Sequence, residues 1–92
     1  MVTLSTFDHI IEQVIVAFQE CFPDVAINRQ SDFFELGGDS LAVAGLCVSL
    51  EARFNTEIHP SSVLYHPTVE ELAYAVKALL ASPEPATRDL KA

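Results

Sequence analysis

Apolar side chains recur at Phe7, Ile10, Ile11, Val14, Ile15, Phe18 and Phe22, the three-and-four spacing that lays one stripe along an amphipathic helix. Ser5 or Thr6 can cap its start, and Pro23 disfavours helical geometry in the residue before it, so the helix is expected to end near Cys21 or Phe22. A second helix is predicted from Ser40 to Phe54, with Leu41, Ala44, Cys47, Leu50 and Phe54 on one stripe. It is apolar beyond that stripe, because Ala42, Val43, Leu46 and Val48 leave few positions for a solvated face. Such a helix is either nearly buried or offers part of its outer surface for docking. Pro60, Ser61 and Ser62 can start a short third helix through Val63, Leu64 and Tyr65, closed by His66-Pro67. Thr68 and Glu71 form a capping box for a fourth, whose stripe is Val69, Leu72, Ala73, Val76, Leu79 and Leu80.

Between the first two helices, Pro23 to Gly38 carries no sustained period and reads as a long ordered loop. Loops of this length are uncommon in compact domains and often functional. Phe33, Phe34 and Leu36 are too apolar for a free loop and are expected to pin it to the core. After Ala81 the run SPEPATRDLKA has two prolines, mixed charge and no period, which reads as a disordered tail or linker. The expectation is an all-α four-helix bundle over residues 1–81, with a long first loop and a short third helix, followed by a tail over 82–92.

With 92 residues, half of them apolar and 20% charged, the chain has the makings of one globular core and no room for a deep active-site cleft. Five basic residues against 13 acidic give a formal charge of −8. The basic residues are scattered, so there is no basic patch for nucleic acid, and the acidic field repels anionic membranes while favouring basic protein surfaces. Cys21 and Cys47 have no partner at metal-ligand spacing and read as reduced core thiols. The first residues lack the pattern of a signal peptide or membrane span, which points to the cytoplasm. The chain ends suit a free-standing domain and a piece of a larger protein equally.

The strongest local signal is Asp32-Phe33-Phe34-Glu35-Leu36-Gly37-Gly38-Asp39-Ser40-Leu41, where the long loop becomes the second helix. Two glycines permit a tight or left-handed turn. Ser40 follows where a helix must begin, and unpaired amides there favour a phosphate ester. Alternatively, Asp39 or Ser40 is simply an N-cap. Ser40 is a poor nucleophilic catalyst, since no adjacent base and no G-x-S-x-G elbow is present.

DFFELGGDSL resembles the phosphopantetheine attachment motif of carrier domains in non-ribosomal peptide and polyketide synthases, with Ser40 matching the modified serine. Phe54 at the close of the second helix and VLYHPTVEELA across the third and fourth extend the resemblance over nearly all of residues 7 to 80. It implies a bundle of the acyl-carrier type with no catalytic residues and no metal. Ser40 would accept 4′-phosphopantetheine from coenzyme A, Asp39 and Leu41 would flank it for recognition by a phosphopantetheinyl transferase, Gly37 and Gly38 would shape the turn, and Asp32, Phe33 and Leu36 would anchor the loop. The implied partners are that transferase, an adenylating enzyme or acyltransferase, a condensing enzyme and a thioesterase, acting on a monomer. The rival reading is an unmodified helical interaction module.

Glu51 is the one acid of the second helix, unlike the strongly acidic recognition helix of fatty-acid carriers, which points to apolar docking. Val43 and Leu46 can form that patch or pack against neighbouring helices. The remaining conspicuous residues read as structural: His66 in the HPT turn, His9 and His59 on the surface, Tyr65 as a core aromatic, Glu70 and Glu71 as first-turn acids on the helix dipole.

Overall fold

A computed structural model describes residues 6–81 of the chain. Four helices follow in order: α1 (Thr6–Cys21), α2 (Ser40–Phe54), α3 (Pro60–Tyr65) and α4 (Val69–Ala81). Ser5 as a cap and the expected tail over 82–92 lie outside the described residues.

The helices share one seam. From α1, Ile10, Ile11, Val14, Ala17 and Phe18 are buried, and from α4, Val69, Leu72, Ala73 and Val76 meet them. These are the phases the apolar spacing predicts, except that Leu79 and Leu80 are exposed where α4 runs on beyond the core. The capping box forms: Thr68 Oγ1 accepts from the Glu71 amide at 3.1 Å, and Glu71 Oε1 accepts from the Thr68 amide at 3.4 Å. Phe7, at the start of α1, meets α4 beyond the box, its ring 4.4 Å from that of Tyr74 and flanked by Arg29 and Lys77.

On α2 the expected phase is corrected. The buried side chains are Val43, Leu46, Cys47 and Leu50, whereas Leu41 is 81% exposed and Ala44 also faces solvent. A helix apolar on nearly every side has no contrast from which to read its rotation. The polar residues that settle it lie toward its C-terminal half. Arg53 donates to Gln13 Oε1 at 3.0 Å and to the Glu20 carboxylate, and Ser49 Oγ donates to Glu20 Oε1 at 2.8 Å. This network turns the 49/53 edge of α2 towards α1. Hydrogen bonding from Ser49, then from Arg53, holds the Glu20 carboxyl below its usual range. Val43 and Leu46 are therefore core residues and do not form a partner patch.

Asn55 ends α2 in the left-handed conformation (φ 54°), its amide donating to the Glu51 carbonyl. Glu51 Oε2 then accepts from the amide of buried Ile58, which secures the link to α3. In α3 only Val63 is buried. Tyr65, expected in the core, is 78% exposed, because a helix of six residues offers one inward position and Val63 fills it. His9, His59 and His66 are all exposed, with the Glu57 carboxylate 3.8 Å from His59. Cys47 is buried, Cys21 is half-buried, and both are free thiols raised in pKa chiefly by burial. Among the described residues no helix is long and apolar enough to cross a membrane, and no cluster of His, Cys, Asp or Glu could hold a metal ion.

Candidate functional site

The turn that carries Ser40 is anchored on a segment far along the chain. Residues 29–33 lie against residues 67–70: the Phe33 amide donates to the Pro67 carbonyl at 2.8 Å, Val69 to Ser31 at 3.0 Å and Glu70 to Arg29 at 3.0 Å. Asp32 and Thr68 form an isolated antiparallel bridge. The Asp32 side chain accepts from the amides of Phe34 at 2.9 Å and Glu35 at 3.1 Å, an Asx-type turn that redirects the chain. The expected anchoring role of Asp32 thus has a geometric basis.

Consecutive residues of an irregular turn point in different directions, and the two phenylalanines separate accordingly. Phe33 is fully buried, its ring meeting Phe18 at 5.4 Å and Phe22 at 5.1 Å in edge-to-face contacts. Phe34 is exposed, with its ring 5.6 Å from Phe33, and Leu36 packs half-buried against the core. Of the expected anchors, Phe33 and Leu36 serve the core and Phe34 largely does not.

Gly37 and Gly38 are required for different reasons. Gly37 has φ +106°, a conformation that a side chain strains. Gly38 has no such backbone, yet a Cβ built on it would lie 2.3 Å from Phe33 Cε2, 2.4 Å from Cδ2 and 2.8 Å from the Phe33 carbonyl oxygen. The Gly38 amide donates to that carbonyl at 2.9 Å. Asp39 then takes extended geometry (φ −128°, ψ −172°), and its Oδ1 accepts from the Ala42 amide at 2.9 Å, making Asp39 the N-cap of α2.

Ser40 is consequently the first helical residue and is exposed. Its hydroxyl is not consumed in capping, and no described residue hydrogen-bonds to it. The amides of Ser40 and Leu41 likewise find no acceptor among the described residues. An exposed hydroxyl, two open amides and the positive end of a helix dipole suit a phosphate ester carried outward from the surface. Neither a base nor a third group to orient one is hydrogen-bonded to Ser40, so the arrangement makes a poor nucleophilic catalyst.

From Ser40 the outer face of α2 continues through Leu41, Ala44, Gly45 and Val48, all exposed, with Val48 66% accessible. Leu64 and Tyr65 are the exposed apolar residues of α3. The sequence suggested an apolar docking face and left Val43 and Leu46 open between that face and packing against neighbouring helices; they pack in the core. Leu41 and Val48 are seven residues apart, and only the tertiary contacts could show that this phase is the outer one.

These features define a small helical domain with an exposed serine hydroxyl at the start of α2 and a largely apolar neighbouring face. A family model described as "Phosphopantetheine attachment site" matches residues 12–76, and the chain belongs to that family: it is a carrier domain of the non-ribosomal peptide and polyketide synthase kind. Such domains are not themselves catalysts, and their cofactor is covalently attached 4′-phosphopantetheine. Indigoidine synthase of Streptomyces lavendulae is 50% identical over 44 residues, covering 48% of this chain and 3% of that protein. A plipastatin synthase from Bacillus subtilis (strain 168) is 40% identical over 53 residues, covering 58% of this chain and 2% of that protein. The chain thus spans only a few per cent of the length of these relatives. BlmI, a type-II acyl-carrier-protein from Streptomyces verticillus, shares the fold with a TM-score of 0.76 at 20% identity, over 80% of this chain and 89% of that one. A non-ribosomal PCP domain superposes with a TM-score of 0.66 at 26% identity, over 80% of this chain and 92% of that one. Carrier domains of these systems work with synthetase enzymes.

Proposed function

We propose that Ser40 Oγ is the attachment point of the phosphopantetheine arm, with Asp39, Leu41, Gly37 and Gly38 as its surrounding motif. The observation that carries this reading is the division of labour at the start of α2: Asp39 supplies the cap, and Ser40 keeps an exposed hydroxyl. In the modification, Ser40 Oγ attacks the pantetheine-side phosphorus of coenzyme A. Its proton passes to a base of the transferase, and adenosine 3′,5′-bisphosphate leaves. The bound arm supplies a terminal thiol for holding acyl, aminoacyl or peptidyl groups as thioesters. This chain's residues hold the anchoring oxygen at the surface, orient the first turn of α2 and keep the arm's base on a rigid support. Incubation with coenzyme A, Mg²⁺ and a promiscuous phosphopantetheinyl transferase, followed by intact mass measurement, tests the reading: one added arm on the wild-type protein is expected.

The partners that follow are the transferase, an adenylating enzyme or acyltransferase that loads the thiol, a condensing enzyme and a thioesterase. The domain meets each as a monomer in the cytoplasm. Leu41, Val48, Leu64 and Tyr65 support docking in which apolar contact dominates, since α2 brings a single acid and that acid bonds to Ile58. Replacing Val48 by Asp is expected to leave thermal stability near wild type, because the residue is exposed, while lowering the rate of loading by about tenfold, the cost of desolvating a charge at an apolar contact. Loading by the wild-type protein should change little between low and physiological salt. A steep fall with salt together with full loading of Val48→Asp would assign recognition to the acidic field instead.

A further inference from the structure

Gly38 raises a question that Gly37 does not, because its backbone lies outside the left-handed region and would accept any side chain. What forbids one is Phe33, whose ring edge and carbonyl occupy the space. Phe33 cannot yield. Its ring is wedged edge-on against Phe18 and Phe22 of the core, its amide is tied to Pro67, and its carbonyl accepts the Gly38 amide. Two residues after Gly38 comes Ser40.

We propose that Phe33 is a positioning residue for the modification of Ser40, acting through Gly38. The Gly38 backbone sits close against the Phe33 ring edge and is bonded to the Phe33 carbonyl, and that seating sets the direction in which Asp39 enters its cap and Ser40 Oγ is offered to a transferase. The inference rests on the reading that Ser40 carries the arm, and it extends the site to a residue with no access to any partner, since Phe33 is wholly buried. An effect of Phe33 on modification must therefore travel through the protein. The competing explanation is that glycine at 38 lets the transferase approach the backbone, Gly38 being only half-buried.

A double-variant cycle separates the two, read as kcat and KM for phosphopantetheine transfer to the apo-protein by one transferase with coenzyme A and Mg²⁺. Gly38→Ala is expected to lower kcat about tenfold or more with KM within about twofold of wild type, the signature of a displaced nucleophile. Phe33→Val on the same background removes the ring atoms that meet the new methyl and is expected to regain at least about threefold in kcat. The recovery stays partial because the Phe33 carbonyl remains. All variants are assayed at a temperature where circular dichroism shows them folded, with Val76→Ala, a buried residue of α4, as a control for destabilisation. No recovery in the double variant, a loss confined to KM, or an equal loss in Val76→Ala overturns the proposal. If Gly38→Ala does not fold, Phe22→Leu loosens the same ring from behind, and an unchanged kcat in that variant overturns it as well. Wild type and Ser40→Ala run in parallel keep the two readings apart. An unmodified wild-type protein or a modified Ser40→Ala removes the attachment reading and this proposal with it, whereas a modified wild type with an uncompensated Gly38→Ala removes the proposal alone.

Discussion

Ser40→Ala is expected to take up no phosphopantetheine under conditions that convert the wild-type protein completely, and to do so without losing its fold. The second half of that statement gives the first its force. Because Asp39 caps α2 and the Ser40 hydroxyl meets no described residue, alanine removes an oxygen that supports nothing. Alanine is also the best helix former, worth a few tenths of a kcal/mol over serine. The variant should therefore melt at or slightly above the wild-type temperature while failing wholly as a substrate. Intact mass and a thermal melt on the same sample check both halves. An alanine variant that still gained the mass of the arm would move the attachment point elsewhere.

Phe33→Ala carries the largest expected cost in stability, about 3–5 kcal/mol, the range for truncating a fully buried aromatic. The ring is inaccessible to solvent, contacts Phe18 and Phe22 edge-on and backs the Gly38 peptide, so little can collapse into the space it leaves. For a domain whose total stability is of order 5–15 kcal/mol, that is a major share. Urea unfolding, with the midpoint falling at unchanged slope, measures it. A loss below about 0.5 kcal/mol would show that the loop hangs loosely on the bundle.

The three-and-four spacing located α1, α2 and α4, most clearly where α1 and α4 have polar faces against which the apolar stripe stands out, and Pro23, Pro60, Pro67 and the Thr68–Glu71 box punctuate the chain and mark out the short α3. The rotation of α2 was not legible: with apolar residues on nearly every side, the choice between the Leu41 phase and the Val43 phase belongs to Arg53, Ser49 and their acceptors Gln13 and Glu20 on α1. Tyr65 misled for a similar reason, since in a one-and-a-half-turn helix any apolar residue is a candidate for the single inward place. The run proposed as the attachment motif was legible as a resemblance, and so was the need for its glycines. The reason for Gly38 was not, because it is a contact with a ring five residues earlier that only the folded turn brings into place.

The three backbone bonds between residues 29–33 and 67–70 have a consequence for how the domain opens. They draw together two segments far apart in sequence and so form the neck of a loop whose contents are α2 and α3. Parting that neck exposes the Phe33 and Val69 amides together and frees both helices from one side at once, so these amides should exchange with solvent at the same free energy as the interior of α2. Native-state hydrogen exchange reads this directly, and early exchange at Phe33 with α2 still protected would show the neck fraying by itself. A long arm that swings between enzymes needs a foot that does not swing, and common exchange would place the arm's base proposed at Ser40 in the same cooperative unit as the neck, although its hydroxyl lies at the surface.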